Sequence, residues 1–180
     1  MEKDIARILI PKEEIAKRVR ELGAVITADY QGRTPVLVGI LKGSVIFMSD
    51  LARAIDLPCS FEFMQVSSYG SGSKTTGAVK ILLDLNCDIA GQDVIIVEDI
   101  LDSGLTLSYL LAQLRTRSPA SLKICTLLDK PARHRVDIPV DYLGFTVEDA
   151  FLVGYGLDYA GRYRNLPYVG ELSRAVYESP

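Results

Sequence analysis

The sequence contains few of the residues that build metal and disulfide sites. His134 is its single histidine, which excludes a metal site with several histidine ligands. Its three cysteines, Cys59, Cys87 and Cys125, lie far apart and are odd in number. A zinc site built on paired cysteines and a framework of disulfides are therefore not expected. Cys125 lies in the apolar run ICTLL, which predicts a small core residue.

Long apolar runs and a large excess of charge are missing as well. No run approaches the roughly 20 apolar residues that cross a bilayer, and the first residues, MEKDIARILIPKEE, lack the apolar core of a signal peptide. We therefore expect a cytoplasmic protein that has no membrane partner. The net charge of −3 offers no broad attraction to nucleic acid, so no nucleic-acid partner is expected either.

The length and the apolar pattern predict a single α/β domain that spans residues 1–180. This length suffices for one well-buried domain, whereas two would be cramped. Short apolar runs alternate with helical patterns along the chain, which is typical of a mainly parallel sheet flanked by helices. The first helix is marked by Pro11 and by an apolar stripe behind it, at Ile15, Val19, Leu22 and Ile26.

The predicted elements place several polar segments at one edge of the sheet. Further helices are predicted over 45–55 and 105–115, and strands over 36–41, 61–66, 93–97, 122–128, 142–147 and 151–155. In such sheets, ligands bind beyond the carboxyl ends of the strands. The polar segments after the strands that end at Leu41, Val66, Val97 and Leu128 are therefore expected to form the site.

The segment VIIVEDILDSGLT, from Val94 to Thr106, runs from a predicted buried strand into three acids. On a purely structural interpretation, Asp102 or Ser103 caps the following helix. That leaves Glu98 and Asp99 unexplained, because burying two acids at the end of a strand is costly. Amides and hydroxyls at a helix N-terminus suit a phosphate, and carboxylates beside it suit sugar hydroxyls or a divalent cation. The segment therefore predicts a sugar-phosphate site.

Several segments together resemble one family. They are VIIVEDILDSGLT, LKGS at 41–44, SSYG at 67–70, LLDKPARH at 127–134 and FLVGYGLDYAGRYRNLP at 151–167. These motifs resemble those of the type I phosphoribosyltransferases, and Asp102 and the last segment are similar to the hypoxanthine-guanine branch. The resemblance covers nearly the whole chain. It implies a mainly parallel sheet flanked by helices, with a small hood made from terminal segments.

The resemblance also implies an activity and its partners. The activity is purine salvage, in which a phosphoribosyl group passes from phosphoribosyl pyrophosphate to hypoxanthine or guanine, with Mg²⁺ as cofactor. The family suggests a homodimer or a homotetramer. An RNA-binding regulator on the same fold is the alternative, but such regulators typically lack the acid at position 102 and need a basic face.

Most of the implied site residues bind the sugar phosphate. Glu98 and Asp99 are implied to hold the ribose hydroxyls, and whether they also bind Mg²⁺ directly stays open. Asp158 is implied as a Mg²⁺ ligand and Arg164 as a pyrophosphate ligand. A cradle for the sugar's own phosphate is implied at Asp102, Ser103, Gly104, Leu105 and Thr106. A pyrophosphate loop, where the family often has a cis non-proline peptide, is implied at Leu41, Lys42 and Gly43.

The remaining implied residues face the purine. Asp102 resembles the general base that accepts a proton from the imidazole ring of the purine. Lys130 resembles the lysine that donates to the exocyclic oxo group. Phe151 matches the aromatic residue that stacks on the base, and Leu152 matches the position whose backbone meets the purine edge.

Each implied role has a plainer alternative. Taken by itself, Lys42 is interpreted as a solvated lysine in a turn, and Phe151 as a core residue. Lys130 can pair with Asp129, and Asp158 can form a surface ion pair with Arg164. Two departures stand out: Leu105 occupies a loop position that is often lysine in relatives, and the arginines of LDKPARHR, Arg133 and Arg135, align in more than one way and are left unassigned.

The segment SSYGSGSKTTG, residues 67–77, is predicted to be a mobile lid. It has three glycines and no apolar periodicity, so little in it can anchor to a core. Ser68 and Tyr69 resemble the family's closing pair over the pyrophosphate, and the alternative is a passive connector. The glycines of this segment match neither a dinucleotide fingerprint nor a P-loop, because the residues that follow them are wrong for both.

Overall fold

The computed structural model describes residues 1–68 and 79–178. The predicted lid therefore lies almost entirely outside the described residues, and with it the predicted substrate-binding residue Tyr69. Ser68 is the last residue of the strand that precedes this segment.

Nine strands and four α-helices make up the described part of the chain. The strands are β1 (Ile5–Ile10), β2 (Val36–Leu41), β3 (Ser60–Ser68), β4 (Val79–Leu83), β5 (Asp93–Leu101), β6 (Ser121–Asp129), β7 (Tyr142–Thr146), β8 (Leu152–Val153) and β9 (Val169–Leu172). The helices are α1 (Lys12–Asp29), α2 (Val45–Ala54), α3 (Leu105–Arg115) and α4 (Arg174–Tyr177). The predicted bounds of β2 and α3 are confirmed.

A six-stranded sheet in the order β4-β3-β2-β5-β6-β7 forms the main layer. All neighbouring strands in it are parallel except β3 and β4, which pair antiparallel at one edge. Following the chain, β3 and β4 lie on one side of β2, and β5, β6 and β7 lie on its other side. The strand order therefore reverses between β2 and β5. This arrangement confirms the predicted mainly parallel sheet flanked by helices.

The sheet is covered on both faces, which explains why its inner strands are apolar runs without alternation. On one face, the apolar stripe of α1 packs with α2 against Leu37, Ile95 and Val97. On the other face, α3 packs against Val94 and Ile96. Cys125 is fully buried in the first of these clusters, as predicted.

A second, three-stranded antiparallel sheet in the order β1-β9-β8 joins the two ends of the chain. It has a small apolar cluster of its own, formed by Val153, Tyr163, Leu166 and Leu172. This sheet is the predicted hood of terminal segments.

The sequence analysis missed the strands β1, β4 and β9. All three are edge or short strands, and most side chains of β1 and β4 are at least partly exposed, so they carry no continuous apolar run. The strand predicted over 151–155 is wrong beyond Val153, because Gly154, Tyr155 and Gly156 all have positive φ angles. No helix in the described part of the chain is both long and apolar enough to cross a membrane.

Two adjacent residues of α1 test this packing. Ile26 is fully buried, whereas 49% of Val25 is exposed. Ile26→Ala is expected to lower the free energy of unfolding by about 2–5 kcal/mol, because it leaves a cavity against the sheet. Val25→Ala on the same helix is the matched control and should change it by less than about 0.5 kcal/mol. Urea unfolding of both variants makes the measurement, and equal losses would contradict the assignment of the buried face.

Candidate functional site

A crevice opens at the carboxyl ends of β2 and β5. The ladder between these strands ends where Gly39 pairs with Val97, while the ladder between β5 and β6 continues to Leu101. The two strands therefore separate at the point where the sheet order reverses. In open α/β sheets, this is the place where ligands bind.

Glu98 and Asp99 lie in this crevice, on a strand that is longer than predicted and runs on to Leu101. Burial, with the charge of Asp99 as the second cause, raises the pKa of Glu98 well above its ordinary value. Burial also raises the pKa of Asp99 to about 6, although the backbone N–H of Ile100 donates to its Oδ1 at 2.8 Å. Two partly buried acids side by side are unfavourable when both are ionised, so a cation or hydroxyl donors beside them would be stabilising.

The loop after β2 packs directly on these acids. The peptide bond between Leu41 and Lys42 is cis. Gly43 is buried, and a β-carbon at this position would overlap the Asp99 carboxylate. Lys42 is exposed, as the solvated-turn alternative expected. A side chain at position 43 would have to displace the Asp99 carboxylate.

The segment that follows β8 closes the crevice from the hood side. Gly156 has a φ of +106°, and a β-carbon there would overlap the carbonyl oxygen of Gly43. Arg164 donates to the Gly156 carbonyl at 2.6 Å and pairs with Asp158 at 2.6 Å. The ion pair that was weighed as an alternative is therefore present. Both charges also reach Asp99, since Arg164 lowers its pKa and Asp158 raises it.

The loop between β5 and α3 turns at Gly104, whose φ is +79°. The N-cap of α3 is Gly104 and neither Asp102 nor Ser103, although Ser103 Oγ accepts a hydrogen bond from the Leu105 N–H at 3.4 Å. A cleft of about 510 Å³ borders this loop, lined by Asp102, Ser103, Leu105 and residues 132–135. Arg133 and Arg135 are both in that lining; Arg133 is paired with Asp102, so Arg135 is the side chain whose positive charge suits an anion there.

A second cleft, of about 340 Å³, adjoins Asp102 on the side of the hood. We call it the base cleft; its lining consists of Ile100, Asp102, Lys130, Arg133, Asp149, Ala150, Phe151, Leu152, Leu157 and Asp158. Only 9% of Lys130 is exposed, and its Nζ donates to the Ala150 carbonyl at 2.6 Å. The alternative pairing of Lys130 with Asp129 is wrong, because Asp129 contacts His134 at 2.6 Å instead.

An aromatic cluster stands at the mouth of the base cleft. Phe151 is 38% exposed, so its interpretation as a core residue is also wrong. Its ring stacks on Tyr177 with a centroid distance of 4.8 Å and meets Tyr159 edge-on at 5.5 Å. Sequence reasoning missed Asp149, which lines the cleft, and Tyr177, which stacks on Phe151, since no motif marks either residue and only the fold brings them there.

Most of the implied site residues thus meet around one crevice, with two qualifications. Tyr69 lies outside the described residues. Within the part of the chain that the structure describes, no three His, Cys, Asp or Glu side chains converge closely enough to hold a metal ion. Glu98, Asp99 and Asp158 therefore do not form a ready-made metal cage.

A larger cleft lies elsewhere in the described part of the molecule. It measures about 710 Å³ and lies between α1, α2 and residues 165–167. Its charged side chains include the neighbouring pairs Arg53–Asp50 and Lys12–Glu13. No described residue of the implied site lines it, so the base cleft is the better candidate despite its smaller volume.

Comparison with known proteins now identifies the family. The phosphoribosyl transferase domain family matches residues 9–160. The chain belongs to the phosphoribosyltransferase family. A hypoxanthine-guanine phosphoribosyltransferase of Bacillus subtilis is 55% identical over 179 residues, covering 99% of both chains. A hypoxanthine phosphoribosyltransferase of Escherichia coli is 54% identical over 172 residues, covering 94% of this chain and 97% of that one.

Solved structures of phosphoribosyltransferases have the same fold. A hypoxanthine phosphoribosyltransferase from Staphylococcus aureus is 50% identical and superposes with a TM-score of 0.95, covering 99% of this chain and 97% of that one. A Trypanosoma cruzi hypoxanthine phosphoribosyltransferase, studied for the role of its C-terminal region in oligomeric state and activity, is 43% identical with a TM-score of 0.92 and covers 98% of this chain and 95% of that one. The predicted fold class and the resemblance to the hypoxanthine-guanine branch are both confirmed.

Gly43 offers a test of the crevice in this phosphoribosyltransferase. Gly43→Ala places a methyl group where the Asp99 carboxylate lies, and should lower the free energy of unfolding by about 1–3 kcal/mol. Gly161→Ala is the control, because Gly161 also has a positive φ but has nothing within 4 Å of its β-carbon position. Strain alone costs that control about 1 kcal/mol. Urea unfolding that finds Gly43→Ala as stable as the parent protein would contradict the close contact.

Proposed function

We propose that the protein transfers a phosphoribosyl group from phosphoribosyl pyrophosphate to hypoxanthine or guanine, forming the nucleotide monophosphate and pyrophosphate. The observation that carries this proposal is the base cleft, in which a nearly buried lysine, an aspartate and an exposed aromatic ring adjoin the acidic crevice. In such a site, a purine and a sugar phosphate would bind side by side.

The sugar phosphate fits the crevice and the loop before α3. The backbone amides of 102–106 and the hydroxyls of Ser103 and Thr106 suit the sugar's own phosphate at the helix N-terminus. Glu98 and Asp99 accept hydrogen bonds from the ribose hydroxyls. Leu41, Lys42 and Gly43 hold the pyrophosphate, to which Arg164 adds a charge-assisted donor.

Mg²⁺ is the proposed cofactor, and the residues present fit it. Burial raises the pKa values of Glu98 and Asp99, so a cation beside these carboxylates would stabilise their ionised forms, and Asp158 adds a third acid nearby. Mg²⁺ typically takes one or two carboxylates together with substrate phosphates, so a cage of three protein ligands is not required. When bound, the ion would neutralise charge on the departing pyrophosphate.

The purine fits the base cleft through groups of distinct chemistry. Lys130 can only donate, so it matches the 6-oxo group of hypoxanthine or guanine and not the 6-amino group of adenine. Phe151 offers an exposed ring for stacking, and Leu152 offers its backbone to the purine edge. Asp102, which lines both clefts, is the proposed acceptor of the proton of the imidazole ring.

In the reaction, the bond between the sugar's anomeric carbon and the pyrophosphate oxygen breaks, and a bond from that carbon to a purine nitrogen forms. The pyrophosphate takes the electron pair of the broken bond, so positive character develops on the sugar. Arg164 stabilises the departing negative charge, and Glu98 and Asp99 hold the sugar in place. Asp102 takes up the proton that the purine loses. The proposed lid over 67–77, with Ser68 and Tyr69, would exclude water during this step.

The RNA-binding regulator has less support. The relatives named above are enzymes, and the chain has the acid at position 102 that such regulators typically lack. The net charge of −3 also offers RNA little attraction. A cytoplasmic location and a homodimeric or homotetrameric assembly remain part of the proposal.

A panel of bases tests the proposed substrate. With phosphoribosyl pyrophosphate and Mg²⁺, hypoxanthine and guanine are expected to be consumed and adenine is not, because the amino group of adenine leaves Lys130 without an acceptor. Chelation of divalent cations should abolish turnover of both good substrates, and addition of Mg²⁺ should restore it. Pyrophosphate release measures all reactions. Efficient turnover of adenine with none of hypoxanthine would refute the assignment of Lys130.

Asp102→Asn tests the proposed general base. The variant keeps the size of the side chain and the backbone amides of the phosphate loop, so the KM for phosphoribosyl pyrophosphate should stay close to that of the parent enzyme. Turnover is expected to fall by roughly 10²-fold or more, as the loss of a general base implies. Steady-state kinetics with hypoxanthine provide the measurement. Normal turnover would leave Asp102 without a catalytic role.

A further inference from the structure

Arg133 links two acids that face each other in the base cleft. Its Nε donates to Asp102 Oδ1 at 3.2 Å, and its Nη1 lies 3.9 Å from Asp149 Oδ2. Lys130 lies 3.9 Å from the other oxygen of Asp149. The four side chains thus form a chain of alternating charge, in the order Asp102, Arg133, Asp149 and Lys130.

The contact engages one oxygen of Asp102. Within the described residues, Arg133 is the side chain that donates to this carboxylate, and it does so at Oδ1. Oδ2 is thereby left as the acceptor for the proton of a purine bound in the cleft. A carboxylate held at one oxygen also has fewer rotamers available, which is the condition for a well-placed base.

The position of Arg133 is set by its surroundings as well. It belongs to a short 3-10 turn, Pro131–Arg133, directly after Lys130. The backbone N–H of Arg133 donates to the carbonyl of Lys130 at 3.0 Å, and that of Arg135 donates to the carbonyl of Ser103 at 3.0 Å. The turn is therefore bonded to the loop that carries Asp102, so the guanidinium and the carboxylate are presented to each other by the backbone.

We propose that Arg133 is a positioning residue for the phosphoribosyl transfer: its guanidinium orients the Asp102 carboxylate toward the purine, with Asp149 holding the guanidinium from the other side. This inference rests on the proposed function, in which Asp102 is the general base. It gives a role to an arginine that the motifs leave unassigned, and a reason for Asp149 in the cleft.

A structural role alone does not account for the arrangement. Just over half of the Arg133 side chain and just under half of the Asp102 side chain are exposed, at 53% and 46%. Ion pairs exposed to this extent contribute little to stability. The consequence of the contact is therefore expected in catalysis, where the orientation of one carboxylate matters more than the strength of the pair.

Arg133→Gln should lower kcat for hypoxanthine roughly 10- to 100-fold, as the misplacement of a catalytic group does. The KM for phosphoribosyl pyrophosphate should stay within about twofold, since the phosphate loop is untouched. Arg133→Lys keeps the charge and a donor and should recover part of the loss. Arg117→Gln is the matched control, because Arg117 forms a comparable pair with Asp84 at 2.8 Å far from the cleft; it should leave kcat unchanged.

A double-mutant cycle decides whether Arg133 acts through Asp102. In the Asp102→Asn background, Arg133→Gln is expected to have no further effect on kcat, because the group that it orients no longer acts as a base. Equal losses in both backgrounds, or a raised KM for the base in both, would assign Arg133 to direct substrate binding and overturn the inference. Normal kcat for Arg133→Gln with an impaired Asp102→Asn would overturn it while leaving the proposed function intact. Normal kcat for Asp102→Asn would remove the basis of both.

Discussion

The site depends on the close contact of three backbone segments that are far apart in the chain. Gly43, at the end of β2, lies against the carboxylate of Asp99 on β5, and Gly156, below the hood, lies against the carbonyl oxygen of Gly43. Neither glycine leaves room for a side chain. Arg164 secures the third segment by its bond to the Gly156 carbonyl. The loop proposed for pyrophosphate, the acids proposed for ribose and the hood are therefore held at fixed positions relative to one another.

The crevice and the base cleft, the two halves of the site, differ in how their charged side chains are paired. In the crevice, burial raises the pKa values of Glu98 and Asp99, so this half gains stability from a cation or from hydroxyl donors. In the base cleft, acids and bases alternate, so its charges are paired before a ligand arrives. Such pairing suits a neutral purine, and the unpaired acids suit a polyhydroxylated, metal-binding sugar phosphate. Asp102 lines both the base cleft and the cleft beside the loop before α3.

Much of the fold was accessible from the apolar pattern because the main sheet is covered on both faces. A strand such as β2 must then be apolar along its whole length, and a helix such as α1 must have one apolar stripe. The hood strands do not follow the strand rule, because β1 is mostly exposed and β9 has only four residues, and only the resemblance anticipated them as a unit. The turn after Val153 was missed for another reason: its positive φ angles go with a close approach of Gly154 to the Tyr168 carbonyl and of Gly156 to the Gly43 carbonyl, which no local pattern encodes.

By itself, the sequence determined the order of strands and helices and the chemical types of the groups at the strand ends, because hydrophobic periodicity and side-chain chemistry are local properties. Tertiary structure alone decided which of these groups are neighbours. It separated Lys130 from Asp129 and placed it by Ala150, stacked Tyr177 on Phe151, and brought Arg133 to Asp102 rather than leaving that acid as a helix cap. These contacts join residues through the packing of the hood and loops against the sheet, and such packing depends on the whole chain at once.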